Sequence, residues 1–145
     1  NWPPGEAKYL HEPSYHRSVY LCILRSSPPP ELAAFDFPDG IDTAGQRQVT
    51  TPPTQALFLL NNPLVVEQAR VLAEENLGAG DDNKARVIAA YHRTLQRDPS
   101  PAEIERSLGH IRQLIQELTG GDAQLRAWAS FTQSLLASNE FRYID

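Results

Sequence analysis

Ten of the twelve prolines in this chain precede residue 64, and this distribution limits the folds that the sequence can adopt. Proline fixes the backbone φ angle and has no N–H to donate, so it interrupts both helices and sheet ladders. Beyond residue 64 the apolar residues recur instead at the spacing of amphipathic helices. The sequence therefore predicts an extended, proline-rich arm over residues 1–50 and a helical core over residues 51–145, which together form one domain.

Helix boundaries in the predicted core are marked by capping residues, prolines and glycines. The residues that predict helix starts are Thr51, Asn62, Asp81 or Asp82, the capping box Ser100–Glu103, and Asp122. The residues that predict helix ends are Gly78, Asp98-Pro99 and Gly120-Gly121. The apolar residues that follow the last two starts are Ile104, Leu108, Ile111, Ile115, Leu118, Leu125, Trp128, Phe131 and Leu135. The predicted fold class is all-α, a small bundle of about five or six helices with the arm packed along it.

Two short segments of the arm have a recognisable local pattern. The continuous apolar run from Val19 to Leu24 is typical of a buried strand or of a short buried helix, and its length does not separate the two. Three consecutive prolines follow this run and end it. A short helical turn is predicted over residues 31–35, before a polar, Gly/Pro-marked loop.

The charge of the chain restricts its partners. A net charge of −5 is divided between −2 over residues 1–63 and −3 over residues 64–145, without a cluster of Lys and Arg. Nucleic acid and anionic membrane surfaces attract basic patches, so neither is an expected partner. No apolar run approaches the ~18 residues of a membrane span. Because the chain starts without Met at Asn1-Trp2-Pro3, we expect it to be a fragment of a larger protein.

The histidines and the cysteine do not have the spacing of a metal site. His11 and His16 lie in the arm, whereas His92 and His110 belong to different predicted helices. Zinc ligands usually come in closely spaced pairs, and Cys22 is a lone residue in an apolar run. The sequence therefore predicts surface or half-buried histidines, and neither a metal nor another cofactor in this fragment.

The acidic loop that follows the arm's helical turn has the oxygen-rich composition of some calcium sites. Asp36, Asp39 and Asp42 flank a glycine turn. In an EF-hand register with Asp39 at the fifth position, Phe35 and Phe37 would occupy ligand positions, and neither can bind a hard cation. The loop is better explained by turn formation, with the two phenylalanines as anchors.

A cluster of charged residues in the arm is the candidate functional site. Its members are Arg17, Arg25, Asp36, Asp39 and Arg47. Arginine and aspartate this close in sequence are expected to pair with each other and to fasten the arm to the core. The alternative is that the arginines bind an anionic ligand and the carboxylates act in acid–base chemistry. The sequence contains no G-x-S-x-G nucleophile motif, and its Gly-Gly pair ends a predicted helix, unlike a phosphate-binding loop.

Several segments together resemble one known family. They are RSVYL at Arg17–Leu21, Arg25, FDFPD at Phe35–Asp39, TTPPTQALFLLNNP at Thr50–Pro63, QRDPSPAE at Gln96–Glu103, and the closing LLASNEFRYID. This combination resembles the PSD family, a planctomycete-specific domain of unknown function (domain of unknown function 1553). Two positions depart from the pattern: Gln96 replaces an expected glycine, and His16 replaces an arginine.

The resemblance implies a cellular context but no catalytic residues. The family's domain lies at the C-terminus of large proteins with c-type cytochrome modules, and it usually includes a further helical half upstream. Haem c would therefore belong to upstream domains, and the protein would be exported to the periplasm or the cell surface. The favoured function is a non-catalytic structural or interaction module whose partners are those upstream domains. The alternative is part of an extracytoplasmic enzyme or binding protein for polysaccharides, with its site shared with the upstream domains.

Overall fold

The computed structural model describes residues 17–20, 32, 34, 35, 37, 53–80 and 82–142. The chain divides into two compact units, Asn1–Gln55 and Ala56–Asp145. Over the described residues the regular structure is helical throughout, without a strand, which confirms the predicted all-α fold class. The predicted packing of the arm concerns residues outside this set, and the boundary at residue 50 stays a prediction.

In the first unit, a 3₁₀ helix spans Ser18–Tyr20. It is closed by the backbone N–H of Tyr20, which donates to the carbonyl oxygen of Arg17 at 2.9 Å. Val19 and Tyr20 are 79% and 78% exposed, so the expectation of a buried apolar run is wrong for these two residues. Residues 21–24 of the run lie outside the described part of the chain.

The helical turn predicted over residues 31–35 is present at the positions that are described. Leu32 and Ala34 are helical, and the N–H groups of Phe35 and Phe37 both donate to the carbonyl oxygen of Leu32, at 3.1 and 3.2 Å. Both phenylalanines are half-buried. The local geometry therefore agrees with a turn in which these rings are partly packed.

From residue 53 onward, the described stretches contain six α-helices. They are α1 (Pro53–Asn61), α2 (Pro63–Gly78), α3 (Asn83–Leu95), α4 (Pro101–Glu117), α5 (Ala123–Leu136) and α6 (Asn139–Arg142). Helix α5 contacts α2, α3, α4 and α6 and is the central helix of the bundle. Within these stretches, no helix combines the length and the apolar character that crossing a lipid bilayer requires.

Helix α5 supplies the centre of the hydrophobic core. Trp128 is fully buried, and its ring meets that of Phe131 edge to face, with 5.8 Å between the ring centroids. Phe131 also packs against Tyr91 of α3, at a centroid distance of 6.4 Å. The buried residues around them are Ala73, Val87, Ala90, Ile111, Ala127 and Leu135. Of the predicted apolar positions, Leu125 is partly buried and Ile115 is 37% exposed.

Small residues bring α2 and α5 into close contact. Ala69 and Ala73 on α2 have no exposed surface. The buried hydroxyl of Thr132 on α5 lies 2.7 Å from the carbonyl oxygen of Ala69 and donates to it across the helix interface. Because a longer side chain at either alanine would separate the two helices, these positions fix the width of the core.

The side chains of Asn62, Asp82 and Ser100 cap α2, α3 and α4, as the sequence predicts. Each accepts hydrogen bonds from backbone N–H groups of the first turn, which have no partner within the helix. Asp122 stands at the N-cap position of α5, but its side chain accepts no capping hydrogen bond. The predicted cap Thr51 lies outside the described residues.

Two helix ends differ from the sequence prediction. Gly78 is the last residue of α2 instead of following it, Ala79 is the C-cap, and Gly80 has the positive φ of +140° that breaks the helix direction. Helix α4 ends at Glu117, before the glycine pair, and Gly120 has a φ of +116°. The glycines mark the turns after the helices because their backbones adopt angles that other residues avoid.

The turn after α3 contains a strained residue. Gln96 is the C-cap of α3 and adopts the left-handed conformation, with φ 55° and ψ 29°. Glycine takes this conformation without the steric cost of a Cβ, which is about 1–2 kcal/mol. The helix end predicted before Asp98-Pro99 is therefore real, although the residue there is not the expected glycine.

Replacing Gln96 with glycine is expected to stabilise the protein by about 0.5–1 kcal/mol, because relief of the left-handed strain exceeds the entropic cost of glycine. The matched control is Gln68→Gly at an exposed position inside α2, which is expected to cost about 1 kcal/mol. Urea unfolding followed by circular dichroism measures both changes. Similar losses of stability in the two variants would contradict the strained turn.

Candidate functional site

Most of the predicted charged cluster lies outside the described residues. Arg17 is described and exposed. Arg25, Asp36, Asp39 and Arg47 are not among the described residues, so the pairing predicted for them stays a prediction.

The histidines that are described are both exposed. The ring Nε2 of His92 lies 2.7 Å from Oδ1 of Asp98, across the turn that follows α3, and His110 lies on the surface of α4. No group of three or more His, Cys, Asp or Glu side chains with the geometry of a metal site occurs in the described stretches. His11, His16 and Cys22 fall outside those stretches.

Among the residues that the structure describes, the strongest polar cluster is centred on Arg97, in the turn between α3 and α4. The left-handed Gln96 reverses the chain after α3, and Pro101 begins α4 four residues after Arg97. Ser100 and Glu103 form the capping box of α4: the Ser100 N–H donates to Glu103 Oε2 at 2.7 Å, and the Glu103 N–H donates to Ser100 Oγ at 3.3 Å. This cap holds the Glu103 carboxylate beside Arg97.

Arg97 binds two carboxylates through two edges of its guanidinium group. Towards Glu103, Nη1 donates to Oε2 at 3.0 Å and Nη2 donates to Oε1 at 2.8 Å. Towards Glu140 of α6, Nε donates to Oε1 at 2.5 Å and Nη2 donates to Oε2 at 2.8 Å. Such bidentate pairs are stronger and more directional than single contacts between charges.

The remaining donor of Arg97 is also used. Nη1 donates to the backbone oxygen of Asp98 at 3.0 Å, so five hydrogen bonds match the five N–H donors of the group. The guanidinium carbon lies 5.3 Å from the centroid of the Tyr91 ring, a cation–π arrangement. Arg97 therefore joins α3, α4 and α6 and has no donor left over in this arrangement.

The cluster shifts the pKa values of its three charged groups. Hydrogen bonding to Arg97, together with the backbone N–H of Ser100, lowers the pKa of Glu103 from 4.5 to about 2. The hydrogen bond from Arg97 also lowers the pKa of Glu140. The hydrogen bonds to Glu140 and Glu103 raise the pKa of Arg97 above its ordinary value. All three groups are thus held in their charged forms.

These shifts predict a loss of stability in acid. Because the pKa of Glu103 is about 2 in the folded state and 4.5 as its ordinary value, the unfolded chain binds more protons between these two values. The stability that Glu103 contributes is therefore complete above pH 4.5 and falls as the pH drops towards 2. Urea midpoints measured between neutral pH and pH 3 should decrease through this range.

The variant Glu103→Gln is expected to reduce this pH dependence, because an amide oxygen retains the capping box but cannot lose a charge. The control Glu105→Gln removes a carboxylate from an exposed position on the same helix and should leave the dependence close to that of the unchanged protein. If the urea midpoints of these two variants depend on pH to the same extent, the Arg97–Glu103 pair is not the cause of the acid sensitivity.

The chemistry available to this cluster is limited by its internal bonding. The hydroxyl of Ser100 is an acceptor in the helix cap, and the Glu103 carboxylate accepts from both Arg97 and the backbone. His92 and Asp98 form a separate exposed pair. General acid–base catalysis needs a group within hydrogen-bonding reach of a substrate proton, whereas these groups are bonded to each other. The arrangement is suited to fastening helices together.

Arg97 and Glu140 are not among the site residues that the sequence predicts. The segment QRDPSPAE contains Arg97 and Glu103, and its capping box gave a local signal for one of the two ion pairs. Glu140 lies 43 residues from Arg97 in sequence, and no local pattern connects the two.

A known family matches most of the chain. The model of the family PSD1, described as protein of unknown function (DUF1553), matches residues 3–111. No curated protein and no solved structure matches the sequence significantly. The matched stretch contains Arg97 and Glu103 and ends before Glu140.

Proposed function

Because the chain belongs to the PSD1 family of proteins of unknown function (DUF1553), we propose that it is a non-catalytic structural or interaction module. In this proposal it lies at the C-terminus of a large exported protein, and its partners are the upstream domains of the same polypeptide. Export, and haem c in the upstream domains, belong to the proposal, and the resemblance of the sequence segments to the family supports them.

The observation that carries the structural part of the proposal is the bonding of Arg97. All five of its N–H donors are directed to groups of the same chain. An arginine that binds a substrate anion needs a donor free for it, whereas one that connects secondary-structure elements uses its donors internally. The strongest charged cluster of the described residues is thus occupied in holding α3, α4 and α6 together.

The interaction part of the proposal is supported by the surface of α1 and the start of α2. Leu57, Leu60 and Leu64 are exposed, and the sequence of α1 contains no charged residue. Exposed apolar residues with few charges among them are typical of the centre of protein interfaces. A module that contacts neighbouring domains would use such a surface.

The proposal is tested in the longer protein that the resemblance implies, by comparing two sets of variants. Asp36→Asn and Asp39→Asn remove the carboxylates that polysaccharide chemistry would need, and Arg97→Met disrupts the helix fastening. For a structural module, we expect glycan turnover per folded molecule to be unchanged in all three variants. The stability of the protein should fall in Arg97→Met.

The opposite result identifies the alternative function. Loss of glycan turnover in Asp36→Asn or Asp39→Asn, with an unchanged circular dichroism spectrum and thermal transition, would mean that the chain contributes catalytic groups to a polysaccharide-active enzyme. Loss of glycan binding with turnover of a soluble substrate retained would instead indicate a carbohydrate-binding role. Either outcome would overturn the proposal of a non-catalytic module.

The location in this proposal is extracytoplasmic, either periplasmic or at the cell surface. Fractionation of cells that express the longer protein, followed by protease treatment of intact cells, measures it directly. Recovery of the protein in the cytoplasmic fraction would contradict export without affecting the structural role.

A further inference from the structure

We draw no further inference here: the strongest candidate, the exposed apolar face that Leu57, Leu60 and Leu64 form on α1 and the start of α2, carries none, because nothing in the described part of the structure shows what covers it.

Discussion

Replacing Trp128 with alanine is expected to lower the free energy of unfolding by about 3–5 kcal/mol. Trp128 is fully buried at the centre of the bundle and packs edge to face against Phe131. Its Nε1–H is buried and has no acceptor among the described residues, so the substitution removes packing without breaking a hydrogen bond there. Most of the effect is therefore the cost of the cavity and of the lost apolar contact.

Urea unfolding at neutral pH measures this loss, with Ile115→Ala as the control for removing a large apolar side chain. Ile115 is 37% exposed on α4, so this change is expected to cost less than about 1 kcal/mol. Because a domain of this kind is stable by only about 5–15 kcal/mol, Trp128→Ala could unfold it. Trp128→Phe leaves a smaller cavity and is expected to fall between the two variants. A Trp128→Ala variant as stable as Ile115→Ala would contradict the central position of the indole.

The second large effect is expected for Arg97→Met, with a loss of about 2 kcal/mol at neutral pH. Methionine keeps part of the apolar stem, so the change reports chiefly on the guanidinium group. It leaves Glu103 and Glu140 close together without their shared cation, and it removes the cation–π contact with Tyr91. The loss is smaller than for a fully buried ion pair, because water reaches part of the cluster.

Arg106→Met is the matched control, because Arg106 is exposed on α4 and its Nε–H donates a long hydrogen bond, at 3.4 Å, to the carbonyl oxygen of Ala102 in the preceding turn. It is expected to change stability by less than about 0.5 kcal/mol. A double-mutant cycle with Glu103→Gln sharpens the test. If the two residues act as a pair, the double variant should be scarcely less stable than Arg97→Met. Strictly additive losses would show that Glu103 contributes through the capping box and not through Arg97.

Much of the helical core could be predicted because its signals are local. Asn62, Asp82 and Ser100 were expected as caps from their residue types and from the prolines and acids that follow them. The apolar spacing after Ser100 and Asp122 identified the two helices that contribute Ile111 and Trp128 to the core. Each of these signals depends on residues within one or two helical turns.

The helix ends were predicted less well, because a glycine shows where a turn is possible but not where the helix stops. Gly78 lies inside α2, and α4 ends before Gly120. Gln96 shows the opposite case, in which a helix ends in the left-handed conformation although the residue there is not glycine. The fixed positions of α3 and α4 impose this backbone, because both helices are packed against the same central helix.

The candidate site was likewise predictable only where its contacts are local in sequence. The sequence predicts a functional site among the charged residues of the arm. That prediction stays untested for Arg25, Asp36, Asp39 and Arg47. The cluster that the structure presents lies elsewhere, on Arg97. Its link to Glu103 follows from a local cap, whereas its link to Glu140 exists only because α6 returns to the turn between α3 and α4.

The amino-acid sequence by itself determined the all-α class, the starts of the helices and the faces they bury, because capping and apolar periodicity act over a few residues. Tertiary structure decided that Ala69 meets Thr132 and that Arg97 is shared by two carboxylates. These contacts join residues far apart in the chain, and their energy is gained only after the helices have packed. Their positions therefore depend on the whole core and not on any one segment.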